Sequence, residues 1–438
     1  MSQPSTQQNT WTAPVAATPV DASIRVPGSK SITNRAFVLA ALSAGPTLIR
    51  EPLDSRDARL MLDALTAMGA RCERVAEGVR VHPVTTGAET AATPGETVEV
   101  AMGNAGTVAR FTPALAALGT HDVRFDGDAA IRRRPVGPLL RALAELGADI
   151  DDDGRGAPPF IVHGRGGLPG GSVELDSSAS SQFLSALLLV APATERGVTV
   201  RLVGSAPPSE PHIAMTLDML RRFGARPERS GTEFHVPPAP LSCPDYTVEP
   251  DLSTAAPFVL APLLAGGAVR VAGWPDETTQ PGDWLRSLVG ELGGSAVLDD
   301  AGLTVTGSGA VRGADLDLHE VGELTPAVAA VLCFADRPSV ISGVAHLRGH
   351  ETDRLAALAT ELGALGGNVT ETEDGLRISP VPLHSGTFRT YEDHRLVMTG
   401  ALLGLRVPGV EVENPGTVAK TFPGFVPAWE RLVNRPRD

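Results

Sequence analysis

The chain has 438 residues, 42% of them hydrophobic and 20% charged, which at roughly 150 residues per domain allows two or three domains with sizeable cores. A net charge of −14 argues against a nucleic-acid-binding surface, no apolar run approaches the ~18 residues of a membrane span, and Cys72, Cys243 and Cys333 are too scattered for a zinc site or a disulfide framework. Any anion site must therefore be a local cluster of bases in an acidic protein, and the cysteine usage fits a reducing compartment, the cytoplasm.

Residues 1–20 are polar, lack the basic start and apolar core of a secretory signal, and read as a disordered tail. A short strand follows at 22-ASIRVP-27. From there two helix patterns alternate. In the first, an Ala/Leu-rich helix runs through a short turn into a strand, over residues 31–52, 106–127, 180–204, 252–273, 325–344 and 393–415. These helices are apolar on every face, as expected of helices covered on all sides. In the second, a helix is closed by glycine and followed by strands, over 60–75, 139–152, 216–229, 284–298 and 355–371. Gly69, Gly147, Gly224, Gly293 and Gly366 fall just past the helix end, where a left-handed residue is needed. The last copy has its helix at 423–434 and then the chain ends; the strand at 22–27 could supply what is missing there. The predicted fold class is α/β: two similar domains, each of three units of helix, strand, helix, strand, strand. One domain takes residues 27–248, the other 21–26 plus 249–438, with crossings near Val26–Pro27 and Val248–Glu249.

The starts of the six apolar helices read 30-KSITNR, 103-GNAGTVAR, 177-SSASSQF, 251-DLSTAAP, 322-GELTPAV and 391-YEDHR. Each carries a residue of the N-capping type, which is the ordinary explanation for a Ser, Thr, Asn or Asp there. It does not explain Lys30, Arg35, Arg110 and Arg395, because a helix start already carries partial positive charge and repels cations. An anion held between the cations and the free N–H groups would remove the conflict. Arg134, Arg354 and Lys420 recur at equivalent points before the glycine-closed helices. Singly each could be a solvated surface charge; their recurrence argues for a shared ligand. Glycines in 103-GNAG-106 permit close backbone approach, yet form neither a P-loop nor a dinucleotide loop. His346 and His350 lack a supporting metal motif, so no metal is expected. Glu323, Glu351, His350 and His394 are the nearby proton carriers. The residues thus describe a two-domain protein with a cationic site for small polyanions.

The ordered set PGSKSITNR, GNAGT, RRRP, SSQF, ETDR, DHR and AKTFP, spread over nearly the whole chain, resembles the EPSP synthase family. The resemblance implies two domains of three βαβαββ units each, in an inside-out barrel-like fold with the active site in the cleft between them. It implies transfer of the enolpyruvyl group of phosphoenolpyruvate to the 5-hydroxyl of shikimate 3-phosphate, in the route to aromatic amino acids. It further implies a monomer, no metal or organic cofactor, no nucleic-acid or membrane partner, and a phosphoenolpyruvate site that takes the inhibitor glyphosate. Matched motif by motif, Lys30, Ser31, Arg35, Ser180, Ser181, Gln182, Ser209, Glu323 and His350 fall on shikimate 3-phosphate contacts. Lys30, Asn104, Gly106, Arg134, Gln182, Arg354, Arg395 and Lys420 fall on the phosphoenolpyruvate site, and Lys30, Glu323 and Glu351 on the proton-transfer positions. Three positions depart from the familiar bacterial pattern: Glu323 where Asp is common, His350 where Lys is common, and His212 where Tyr is common. The alternatives are the sister UDP-N-acetylglucosamine enolpyruvyl transferases, which usually carry a cysteine in the loop that here reads 127-GDAAIRRRP-135, and a non-catalytic binder of phosphate ligands.

Overall fold

A helix apolar on all faces must be enclosed, and a half-buried strand must keep one face against a core; repeated units that stack sheets around such helices satisfy both. The computed structural model describes residues 9–84 and 97–434. Two compact units result: a middle unit, Gly28–Glu249, and a two-ended unit, Met1–Pro27 with Pro250–Asp438. Each has its own hydrophobic core.

Among the described residues the helices in chain order are α1 Lys30–Ala41, α2 Arg56–Ala67, α3 Gly106–Ala116, α4 Gly137–Glu145, α5 Ser181–Val190, α6 Glu210–Arg222, α7 Ala256–Ala265, α8 Leu285–Glu291, α9 Thr325–Leu332, α10 Arg354–Ala364, α11 His394–Gly404 and α12 Phe425–Val433. The odd-numbered helices are the apolar ones. Every residue of α11 is buried, and α5 leaves Gln182 alone partly exposed. The even-numbered helices bury one stripe: α6 turns Ile213, Met215, Leu217 and Leu220 inward and leaves Arg221 and Arg222 in solvent. The five predicted helix-ending glycines all adopt positive φ, from 88° at Gly366 to 105° at Gly147.

Each four-stranded sheet contains one parallel pair and a hairpin-like antiparallel extension. In the middle unit Val98–Ala101 runs parallel to Asp122–Asp126, with α3 as the crossover between them. Phe160–His163 then pairs antiparallel to Asp122–Asp126 and carries Asp149–Asp151 at the edge. Val123 and Phe125 point inward, and Phe125 stacks on its cross-strand neighbour Phe160 at 5.1 Å. The same plan joins Gly171–Asp176 to Val198–Val203 around α5, and Asp315–Asp317 to Ser339–Ser342 around α9.

The remaining sheets are completed by strands distant in sequence. Asp245–Thr247, at the end of the middle unit, lies parallel to Thr47–Arg50 near its beginning. In the two-ended unit Val20–Ile24 lies parallel to Gly267–Ala272. The N-terminal strand therefore completes the fourth repeat, not the sixth as expected. The sixth repeat, Gly386–Phe388 parallel to Val410–Glu413, gains its antiparallel partner from Thr10–Thr12. This corrects the reading of residues 1–20 as a disordered tail: residues 9–20 are built in, with Trp11 Nε1 donating to Glu430 Oε1 at 2.9 Å, and residues 1–8 lie outside the described part. A three-residue polar strand gains its free energy from long-range pairing, which local composition does not reveal.

A second correction concerns helix starts. Ser29, Ser180 and Asp393 cap α1, α5 and α11 through their side chains, but Ala105, Ala255 and Leu324 precede α3, α7 and α9 with no such bond. In α7 and α9 a proline in the first turn removes one of the N–H groups that a cap would serve.

Candidate active site

In the middle unit α1 opens at Lys30, two residues after Gly28. A β-carbon on Gly28 would lie 2.2 Å from the Glu51 carbonyl oxygen, so glycine is required there for the chain to enter the helix. Lys30 and Ser31 are half-buried in the first turn, while Arg35 is buried. The Arg35 guanidinium donates from Nε to Thr216 Oγ1 at 2.8 Å, from Nη1 to the Ser31 carbonyl at 3.1 Å, and from Nη2 to Ser185 Oγ at 3.2 Å and the His212 carbonyl at 3.4 Å. Its face lies 5.2 Å from the centre of the Phe111 ring. Arg35 thus ties α1 to α5 and α6, and what it offers an anion is its charge. Asn34 Nδ2 donates to Thr107 Oγ1 at 2.6 Å, fastening the start of α1 to that of α3.

The 103–106 turn leads into α3, and Gly106 lies under two arginines. A β-carbon there would meet Arg110 Nη1 at 2.8 Å and both terminal nitrogens of Arg134 at 3.1 and 3.2 Å. Arg110 is buried along α3 with its guanidinium 5.7 Å from the Phe183 ring centre, and it donates to the Gly106 carbonyl at 3.1 Å. Arg134 closes a 3₁₀ turn, Ile131–Arg133, before α4. Its Nε and Nη1 are buried and have no hydrogen-bond partner among the described residues, and the same holds for Gln182 Oε1 in the first turn of α5. Buried polar atoms are normally paired; those of Arg134 lie against the Gly106 turn, whereas others left in the same condition, such as Thr47 Oγ1 and Trp429 Nε1, belong to the buried interior. Ser180 caps α5 by accepting from the Gln182 N–H at 3.3 Å, beside Ser181. Ser209 precedes α6 with φ of 57°, a left-handed conformation that costs a non-glycine residue roughly 1 kcal/mol or more and recurs at functional sites.

In the two-ended unit the predicted residues form a connected ionic network. Arg395, in the first turn of α11, donates to the Ser253 carbonyl before α7 at 2.7 Å and to Glu323 Oε2 before α9 at 3.2 Å. The starts of the three apolar helices therefore meet at one guanidinium. Arg354, the first residue of α10, is 2% exposed at its side chain and grips Asp393 through Nε at 2.7 Å and Nη2 at 3.2 Å. Its Nη2 also reaches Glu351 Oε2 at 3.1 Å, and its Nη1 lies 3.2 Å from His350 Nδ1. Lys420 Nζ holds the other oxygen of Glu351 at 2.8 Å. Burial works against the Arg354 charge, but the Asp393 and Glu351 carboxylates outweigh it and hold its pKa above the ordinary arginine range. His350 belongs to a row of rings, 5.8 Å from His346, which is 6.0 Å from His319. Burial, with His319 and Arg354 close by, pushes the His346 pKa down to about 4. Among the described residues no group of three or more His, Cys, Asp or Glu could hold a metal ion, and no helix is long and apolar enough to cross a membrane.

A family model for EPSP synthase (3-phosphoshikimate 1-carboxyvinyltransferase) matches residues 15–429. The chain belongs to the EPSP synthase family. It is 49% identical to a 3-phosphoshikimate 1-carboxyvinyltransferase of Kocuria rhizophila, across 98% of this chain and 97% of the relative. Among solved structures, an EPSP synthase of Acinetobacter baumannii is similar at a TM-score of 0.80 and 25% identity, covering 96% of this chain and 97% of that one. A second structure of EPSP synthase from the same organism has the same fold at 0.79 and 24%, covering 96% and 98%. The two-domain α/β fold class is that of this family.

Sequence reasoning missed several residues on which the EPSP synthase-like site depends. Asp393 is fully buried, caps α11 by accepting from the Arg395 N–H at 2.9 Å, and anchors Arg354. The DHR motif signalled it as a cap but not as the partner of a residue in another repeat. Ser185 in the apolar α5 and Thr216 on the buried stripe of α6, which hold Arg35, are single hydroxyls, and nothing local marks their function.

Proposed function

We infer that this chain transfers the carboxyvinyl group of phosphoenolpyruvate to the 5-hydroxyl of shikimate 3-phosphate, in the shikimate pathway to aromatic amino acids, and releases phosphate. We further propose that the residues above carry the reaction. The observation that carries the reading is the pair of carboxylates set among cations: Glu351 between Arg354 and Lys420, and Glu323 on Arg395. A pure anion receptor needs cations and has no use for acids placed against them. An addition–elimination at an enol phosphate needs both. In the addition half, a proton joins the methylene carbon of phosphoenolpyruvate, C2 becomes electrophilic, and the 5-oxygen of the acceptor bonds to C2 as its own proton departs. In the elimination half, a proton leaves the new methyl group, the C2–C3 double bond returns, and the C2–O bond to phosphate breaks.

We assign the hydroxyl proton to Glu323 and the carbon proton to Glu351, whose Lys420 neighbour at 2.8 Å is the adjacent proton store, with Lys30 as the further participant. Arg134, Arg354, Arg395 and Lys420 are assigned to the phosphate and carboxylate of phosphoenolpyruvate, with Gly106, Asn104, Gln182 and Lys30 completing the set. Their charge stabilises the phosphate as it leaves. Lys30, Ser31, Arg35, Ser180, Ser181, Gln182, Ser209, Glu323 and His350 are assigned to shikimate 3-phosphate. We read the enzyme as a cytoplasmic monomer, which sedimentation velocity checks as to mass.

The test is phosphate release from phosphoenolpyruvate with shikimate 3-phosphate, run beside UDP-N-acetylglucosamine as acceptor. Turnover with the first and none with the second is the expected result. Tight binding of either substrate without turnover would replace the enzyme with a binding protein. The sister transferase is not favoured, since the family model of EPSP synthase covers nearly the whole chain.

A further inference from the structure

Immediately before the Asp393–Arg395 segment the backbone does something costly. Tyr391 and Glu392 are consecutive non-glycine residues at positive φ, 50° and 57°. Side chains rarely adopt this conformation, and a pair of them persists only where surrounding contacts over-determine the turn. The contacts come from Glu361, on α10 about two turns beyond Arg354. Its carboxylate is fully buried. One oxygen accepts the Tyr391 hydroxyl at 2.6 Å, and the other accepts the backbone N–H of Arg389 at 3.0 Å, so the carboxylate holds both the entry to the turn and its first left-handed residue. The Arg389 guanidinium, mostly exposed, lies 3.9 Å away. The Thr390 hydroxyl donates to the Glu413 carbonyl at 3.1 Å, and the Asp393 N–H closes the turn onto the Thr390 carbonyl at 2.7 Å. Tyr391 is an exposed residue, but desolvation of its hydroxyl and the Glu361 hydrogen bond push the phenol pKa from its ordinary 10 up to about 12; it is a donor at working pH in either case.

A carboxylate fully removed from water is expensive unless its hydrogen bonds are needed. Here they are made to the one segment that delivers Asp393 to Arg354 and Arg395 to Glu323. Both anchored arginines thus depend on a turn that its own sequence does not favour, held by the helix on which Arg354 itself stands. We propose that Glu361 is a positioning residue: through the left-handed Tyr391–Glu392 turn it sets the placement of Asp393, and with it the alignment of Arg354 and Arg395 toward the phosphoenolpyruvate anion. This rests on the assignment of those two arginines made above.

Glu361→Gln keeps the shape of the side chain and removes its charge. The expected result is a KM for phosphoenolpyruvate raised roughly ten- to hundredfold, the size associated with disturbing a hydrogen bond to a charged group, while KM for shikimate 3-phosphate moves little. Tyr391→Phe, which removes one of the two bonds, falls between wild type and Glu361→Gln. A purely structural carboxylate predicts a lowered thermal midpoint with both KM values unchanged. Replacing Tyr391 and Glu392 together by glycine in the Glu361→Gln background removes the backbone conflict. Partial recovery of KM without recovery of the midpoint is expected, and recovery of neither would count against the turn as the link. A readout independent of turnover is the NMR resonance of the Arg354 Nε–H, which bonds to Asp393. It shifts in Glu361→Gln if the inference holds, and an unchanged resonance overturns it whether or not the wild-type chain turns over. A wild-type chain without carboxyvinyl transfer overturns the functional reading instead.

Discussion

In the middle unit the buried Arg35 meets hydroxyls and carbonyls, and Arg134 keeps two buried nitrogens without a hydrogen-bond partner among the described residues. In the two-ended unit the corresponding cations meet acids: Arg354 with Asp393 and Glu351, Arg395 with Glu323, Lys420 with Glu351. The helix plan is the same in both, so the difference lies in side chains and not in architecture. Neutral oxygens orient a guanidinium without cancelling its charge, which leaves a field for a phosphorylated ligand. Carboxylates cancel charge but can carry protons. On the assignments proposed above both units supply cations to the anions, and the two-ended unit adds the carboxylates that can carry protons.

The largest effect expected from breaking this contrast is on rate. Glu351→Gln and Glu323→Gln each remove a proton carrier at constant size, and kcat should fall by about 10²–10⁴-fold with little change in substrate binding. Near-normal turnover with a lowered thermal midpoint would reduce that carboxylate to a structural ion-pair partner. The next is on stability. Asp393→Ala leaves the Arg354 guanidinium buried with its principal counter-ion gone, at a cost of about 3–5 kcal/mol in denaturant unfolding. A loss below about 1 kcal/mol would mean that Glu351 alone suffices for the Arg354 charge.

Gly106→Ala sharpens the other side. The added methyl would press on Arg110 and Arg134 at 2.8–3.2 Å, contacts that their flexible ends can relieve by small shifts. It should weaken phosphoenolpyruvate modestly and the longer glyphosate more, as inhibition constants against KM will report. Equal losses would mean that the turn does not face the ligand. The smallest effect is the pH dependence set by His346. Its folded pKa of about 4 lies below the ordinary 6.5, so below pH 6.5 the unfolded chain binds the proton more readily. Stability therefore falls as pH drops from about 6.5 toward 4, by an amount on the order of 1 kcal/mol at pH 5 after allowance for its partial exposure. His346→Asn should flatten that part of a urea-midpoint-against-pH profile.

What the sequence disclosed was governed by range. The glycine at each helix end, the apolar helices and the order of the repeats are local or periodic signals, and Gly69 or Gly147 announces its conformation by residue type. Lys30, Arg35, Arg110 and Arg395 were visible because cations at helix starts break a local rule, and Arg134, Arg354 and Lys420 because they recur at equivalent points of the repeat. The Thr10–Thr12 strand was invisible because its partner, Val410–Glu413, is at the other end of the chain. The same is true of the hydroxyls around Arg35, whose donors and acceptors lie in different repeats. Glu361 looks like an ordinary surface acid in the sequence and Asp393 like a helix cap, and their burial with partners in other segments is what the sequence does not display.

The most direct test of the contrast is Arg134→Gln, measured for both stability and binding. If Arg134 is held for a ligand, removing its buried unpaired nitrogens leaves the urea midpoint unchanged or raised, while the KM for phosphoenolpyruvate rises roughly ten- to hundredfold. A midpoint that falls while the KM stays at the wild-type value would contradict the account, because Arg134 would then serve the fold and not the anion.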